Sequence, residues 1–221
     1  MNKRIIALLL FALTISSCLV NAQDVRGIDV SHHQKKIDWE SVAQENIHFV
    51  YIKATEGATY KDPMFDENMK GAMSAGLPVG AYHYFRMTST PEDQFDNFKK
   101  ALGKYKFQLI PMIDVETSDN RTVFALRHNL DMFISLIEKE YGCKPMIYGT
   151  QRSYNTYCAP KYNKLHLYIG RYGSNPPEIW GLGTYTIWQY SEKGQVKGIS
   201  KAVDMCVMNK KYSLDDIKMP K

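Results

Sequence analysis

The chain has 221 residues, 44% of them hydrophobic and 12% aromatic, with 23% charged residues and 4 cysteines. That balance excludes a disordered chain and a small disulfide-stapled scaffold, and the length suits one domain with a substantial core or two small ones. The net charge of +5 comes without a dense Lys/Arg cluster, so no nucleic-acid partner is expected, while 15 Tyr and 3 Trp supply amphipathic rings suited to sugar or protein surfaces.

The N-terminus opens with Lys3 and Arg4, then an unbroken apolar run over residues 5–13, then Ser16 and Ser17. This is the pattern of a secretory signal segment, and the run is shorter than the roughly 20 residues a membrane span needs. Two processing sites compete. Val20-Asn21-Ala22 fits cleavage before Gln23, and Ile15-Ser16-Ser17-Cys18 resembles a lipobox that would lipidate Cys18. Cleavage near Ala22 is favoured, because the first motif begins by Val25 and leaves a lipid anchor little tether. Either route predicts an exported protein, periplasmic or secreted, with residues 23–221 forming a single domain. Losing residues 1–22 lowers the net charge from +5 to +3.

Eight short apolar runs follow, at residues 27–30, 48–54, 78–84, 109–115, 145–148, 165–170, 185–190 and about 202–207. Most are apolar throughout and rich in Val, Ile and Tyr, as buried parallel strands are. Helix signals lie between them. Asp38 caps residues 39–44, Asp62-Pro63 opens 64–75, and Thr90-Pro91-Glu92 opens a helix ending near Leu102. The longest helix, 122–141, carries an apolar stripe of Phe124, Leu126, Leu130, Phe133, Ile134 and Ile137. This alternation predicts an α/β fold, a parallel (β/α) barrel resembling a TIM barrel. The later links are short, and Gly181 and Gly183 leave little helix there, so fewer than eight helices are expected. No Gly-x-Gly-x-x-Gly follows the first strand, which argues against a dinucleotide site. After export the chain keeps Cys143, Cys158 and Cys206, so at most one internal bridge can form, and whether Cys143 pairs with Cys158 stays open.

In a parallel barrel the chemistry sits at the C-terminal ends of the strands. Acidic residues stand at several such ends: Asp29, Glu56, Asp114, Glu116 and Asp204. Asp114 and Glu116 are two apart on a strand, so their side chains leave the same face. Two carboxyls in a partly dry mouth raise one another's pKa and give a proton donor beside an anion, as glycosidic cleavage requires. With an N-acetylated sugar, Glu116 can protonate the leaving oxygen while Asp114 orients the acetamide. Glu56 is expected to pair with Lys53. His32 and His33 adjoin on a loop and are not expected to share a metal. Tyr82, Tyr84, Tyr148, Trp188 and Tyr190 lie at strand ends, where they could form platforms for pyranose faces.

Taken together, these segments resemble the glycoside hydrolase family 25 lysozymes, the muramidases of bacterial, fungal and phage origin. The resemblance rests on Gly27-Ile28-Asp29-Val30-Ser31 with Ile37-Asp38-Trp39, Phe49-Val50-Tyr51-Ile52-Lys53-Ala54-Thr55-Glu56-Gly57, and Ala75-Gly76-Leu77-Pro78-Val79-Gly80-Ala81-Tyr82-His83-Tyr84-Phe85. It continues in Met112-Ile113-Asp114-Val115-Glu116, Ile187-Trp188-Gln189-Tyr190 and Val203-Asp204. It implies an irregular barrel of eight strands with fewer than eight helices, and hydrolysis of the β-1,4 bond between N-acetylmuramic acid and N-acetylglucosamine in peptidoglycan. Glu116 matches the family's general acid, and Asp114 the carboxylate that orients the acetamide or stabilises charge. Asp29 and Asp204 match two further acidic residues, and Tyr82, Tyr84, Tyr148 and Trp188 match rings of the groove. No metal or cofactor is implied, and the expected partner is the glycan strand, acted on by a monomer. A wall-binding module is not apparent after Asp204. The alternatives are a chitinase-like endo-N-acetylglucosaminidase and a non-catalytic glycan-binding barrel.

Overall fold

The computed structural model describes residues 24–103 and 105–220. The expected signal segment and Cys18 lie outside them. In chain order the strands are β1 (Arg26–Val30), β2 (Phe49–Glu56), β3 (Tyr60–Lys61), β4 (Val79–Tyr84), β5 (Met112–Asp114), β6 (Met146–Thr150), β7 (Leu167–Gly170), β8 (Ile187–Gly194) and β9 (Val203–Met208). The helices are α1 (Trp39–Ala43), α2 (Phe65–Ser74), α3 (Pro91–Leu102), α4 (Val123–Tyr141) and a short α5 (Gln151–Ser153) that runs into a wider turn over Tyr154–Cys158.

The sheet runs β1-β9-β8-β7-β6-β5-β4-β2, and β1 also pairs with β2, so eight strands close into a barrel; β3 is a two-residue hairpin arm on β2. Every expected strand is a barrel strand. The expectation of an all-parallel barrel is corrected at one place. Neighbours are parallel from β1 through β2 and β4 round to β8, but β9 is antiparallel to both β8 and β1. The link between β8 and β9 spans only residues 195–202, too short for the crossover that parallel neighbours need, so the chain turns back as a hairpin.

Strand alternation sorts the apolar side chains into two clusters. Phe49, Tyr51, Ile110, Met112, Met146, Tyr168, Ile187, Met208 and Ile217 fill the barrel. Ile28, Val50, Ile52, Ala81, Ile113, Ile147 and Ile169 face outward and take the helices. At about 1.5–3 kcal/mol for each large apolar side chain removed from water, these two layers dominate the stability. The rings fit because some neighbours are glycine: a Cβ on Gly80 would stand 2.4 Å from the Tyr51 ring.

Helix starts follow their caps. Asp38, Thr90 and Thr122 each accept from a backbone N–H in the first turn of α1, α3 and α4. On α4 the stripe of Leu126, Leu130, Phe133 and Ile137 is buried, with Ile134 beside it. Phe124 departs from the expected stripe and is 84% exposed, since it precedes Leu126 by two positions and so falls on the opposite side of the helix. Cys143, Cys158 and Cys206 are free thiols, so the Cys143–Cys158 bridge is not formed.

Candidate active site

The mouth of the barrel holds a cavity of about 140 Å³ lined by Asp29, Asp114, Glu116 and Asp204 together with Tyr82, Met112, Tyr148, Tyr172 and Gln189. Larger hollows of 570 and 400 Å³ run along the α3 and α4 surface and contain none of the four carboxyl groups. The strands explain the convergence. Asp29 and Asp204 are register partners across β1 and β9, and Asp114 is flanked by Tyr84 of β4 and Tyr148 of β6. Asp204 opens its strand instead of ending it. It reaches the same mouth because β9 runs backwards.

Each carboxyl has a distinct environment. Asp29, 8% exposed, receives the Tyr168 hydroxyl at 2.6 Å and Gln189 Nε2 at 3.0 Å on one oxygen, and stands beside Asp204, its register partner. Asp114 is 6% exposed, and its Oδ1 is buried without a hydrogen-bond partner among the described residues. Burial pushes the Asp114 carboxyl well above the usual carboxylate range, and the neighbouring Glu116 charge adds to the shift. Glu116 is raised by burial too, against the opposing pull of the Tyr84 hydroxyl, Lys53 and Arg86. Burial likewise raises Asp29 and Asp204, and the Asp29 charge raises Asp204 further. Burial in the cavity therefore shifts all four carboxyls toward their protonated forms.

One bank of the cavity is fixed by an ion-pair network. The Tyr84 hydroxyl lies 3.5 Å from Glu116 Oε2, at the long limit of a hydrogen bond. Its ring takes Lys53 Nζ at 5.1 Å and the Arg86 guanidinium at 5.0 Å. Glu56 binds both cations, at 2.7 and 2.9 Å, and Arg86 also reaches Asp119 at 3.1 Å. Glu56 thus pairs with Lys53 as expected and serves the bank, outside the cavity lining. Behind it, buried His83 takes Thr55 Oγ1 at 2.7 Å and Gln94 Oε1 at 3.1 Å, and the same Gln94 oxygen accepts the Arg86 N–H. Burial lowers His83 to about 4, so the ring is neutral.

Of the four rings expected in the groove, Tyr82 and Tyr148 line the cavity and Tyr84 meets Glu116. Trp188 does not line it. Ile187 and Gln189 point into the barrel, so Trp188 and Tyr190 occupy the outer face, with rings 5.9 Å apart and the indole N–H donating to the Arg171 carbonyl at 2.7 Å. Sequence reasoning missed Tyr168, Tyr172 and Gln189. Gln189 lies within Ile187-Trp188-Gln189-Tyr190, where a polar amide in an otherwise apolar strand is the available signal. His32 pairs with Asp62 at 2.8 Å, and among the described residues no three His, Cys, Asp or Glu side chains are grouped to hold a metal.

Residues 28–199 match the family model described as glycosyl hydrolases family 25. The chain belongs to glycosyl hydrolase family 25. Relatives agree with that assignment. Lysozyme M1 of Streptomyces globisporus is 34% identical over 206 residues, covering 81% of this chain and 66% of its own. A bacterial lysozyme structure from Streptomyces coelicolor superposes with a TM-score of 0.79 at 32% identity, over 89% of this chain and 96% of that one. A family 25 glycosyl hydrolase structure from Bacillus anthracis gives 0.78 at 32% identity, over 85% and 90%. This family 25 protein is a glycoside hydrolase with the irregular barrel of its family.

Proposed function

We propose that the chain is a muramidase that hydrolyses the β-1,4 bond between N-acetylmuramic acid and N-acetylglucosamine in peptidoglycan. The observation that carries this reading is the convergence of Asp29, Asp114, Glu116 and Asp204 in one cavity. The similarity to the Streptomyces lysozymes described above supports the substrate class.

Glu116 acts as the general acid. Burial raises its pKa and so favours its protonated form, and its Tyr84 contact orients the carboxyl that gives its proton to the bridging oxygen. Asp114 orients the substrate acetamide or stabilises positive charge on the sugar ring. Asp29 and Asp204 complete the charge pattern across the cavity, and Tyr82 and Tyr148 offer ring and hydroxyl surface to the sugars. Residues 1–22 act as an export segment, processed before Gln23 or at Cys18. The monomer then works outside the cytoplasm, in cell-wall catabolism.

Mass spectrometry of the products from purified peptidoglycan tests the reading. A muramic reducing end is expected. A glucosamine reducing end would move the chain to endo-N-acetylglucosaminidases, and binding without release would make it a glycan-binding barrel. Glu116→Gln should lower turnover by about 10²–10⁴-fold, the usual contribution of a general acid, with the melting temperature nearly unchanged.

A further inference from the structure

We propose that Tyr168 and Gln189 are positioning residues that hold the negative charge of the Asp29–Asp204 pair on Asp29 and the shared proton on Asp204. The catalytic meaning of this placement rests on the glycosidase reading above; the placement itself rests on geometry.

The two carboxyls are register partners on antiparallel strands and line the same cavity, so their mutual repulsion favours a state in which one of them holds a proton. Their surroundings differ. Asp29 Oδ2 accepts two donors, the Tyr168 hydroxyl at 2.6 Å and the Gln189 amide at 3.0 Å. No side-chain donor of that kind serves Asp204 among the described residues, where Glu192 and Glu116 add only negative charge. Donors aimed at one oxygen favour the charged form of that carboxyl.

The direction of the Gln189 amide is itself fixed. The Tyr148 hydroxyl donates to Gln189 Oε1 at 2.9 Å, which leaves Nε2 facing Asp29. Reversing the amide would set its oxygen against a carboxylate oxygen and its NH₂ against the hydroxyl. The backbone leaves room for this arrangement at Gly170, where a Cβ would stand 2.9 Å from Gln189 Oε1 and 3.1 Å from the Tyr148 hydroxyl. Strands β6 and β8 thus supply one chain of hydrogen bonds that ends on Asp29, where it meets the separate donor from β7.

Other ionisable groups face the pair. Cys206 lies below it on β9, Tyr82 on β4, Asp114 and Glu116 on and just past β5, and Tyr172 just past β7. None of them is a cation. Lys53 acts on Asp114 and Glu116, on the other side of the cavity. The charge preference within the pair therefore comes from the two neutral donors on Asp29, reinforced by the Glu192 charge of β8 acting on Asp204. Asp29 lies three strands round the barrel from β5, so the fixed anion stands across the cavity from the proton donor. There it can oppose positive charge that builds on the sugar ring.

The test is a carboxyl titration of the full chain, labelled with ¹³C at the aspartate side-chain carboxyl and followed by NMR. Asp29→Asn and Asp204→Asn assign the two resonances. Wild type should show Asp29 ionising first and Asp204 at higher pH. Tyr168→Phe, which keeps the ring, should raise the Asp29 titration by about one pH unit or more, the scale of one lost hydrogen bond to a charge. Gln189→Leu should do the same, and Gly170→Ala should do so by displacing the amide. The acid limb of kcat/KM on peptidoglycan should move up with the titration. Asp204 ionising first, or an Asp29 titration unmoved in both Tyr168→Phe and Gln189→Leu, would overturn the proposal. A wild type that titrates as expected but releases no reducing ends would sink the glycosidase reading alone. An active wild type with unmoved titrations would sink the positioning alone.

Discussion

The two ends of the barrel interior use the same strands for opposite purposes. Along β5 the inward positions pass from Met112 to Asp114, along β6 from Met146 to Tyr148, along β8 from Ile187 to Gln189, and along β9, read backwards, from Met208 through Cys206 to Asp204. One step of the pleat, two residues, separates a dry apolar base from an acidic mouth. The base is plugged by Ile217 and packed rings, and it gives stability. The mouth gathers four carboxyls that burial would rather keep neutral, and there stability is given up for chemistry.

That contrast can be broken from either end. The largest effect on folding is expected at the base. Phe49→Ala removes a fully buried ring and should cost about 3–5 kcal/mol, read by denaturant unfolding, while the folded fraction keeps its turnover. If turnover per folded molecule falls with it, the two ends are not separable. At the mouth the expected sign is reversed. Asp204→Asn should lose activity yet raise the melting temperature at pH 8 by a few degrees. A carboxyl whose folded pKa is raised contributes stability in full below its unfolded pKa and loses it as the pH rises through the folded value. Wild-type stability should therefore fall from mildly acidic pH through neutrality into the alkaline range, and Asp204→Asn should flatten that slope.

His83 sets the opposite limb. Its pKa is lowered by burial to about 4, so its contribution is present above the unfolded value and is lost as the pH falls toward 4. Between about pH 4 and 6.5 His83 thus offsets part of the fall caused by the four raised carboxyls, and His83→Gln should steepen the decline of melting temperature across that window. The smallest effect is expected from Tyr84→Phe. The Tyr84 hydroxyl, at 3.5 Å, pulls Glu116 down, so its removal should shift the alkaline limb of the pH–rate profile up, by less than the loss of a short hydrogen bond would.

The sequence was most legible where a periodic signal met a chemical one. Apolar runs with acidic ends located all eight barrel strands and the four carboxyls now found in one cavity. It was silent on strand direction at β9, because a hairpin and a crossover differ there only in the length of one link. It also misled on Trp188. Alternation says that neighbours on a strand face opposite ways, but nothing local says whether Trp188 or Gln189 is the inward one. Tyr168 was hidden for a related reason: a tyrosine within an apolar strand looks like filling until its hydroxyl is seen at 2.6 Å from Asp29.

The reversed last strand has a consequence for how the molecule comes into being. β9 is the stave that closes the ring, tied at its mouth end by Gln34 Nε2 to the Ala202 carbonyl and bonded along its length to β1. A nascent chain emerging from its N-terminus carries Asp29 early, but the facing aspartate arrives only with the final stave. The acidic pair thus comes together last, and a partly synthesised chain cannot hold it.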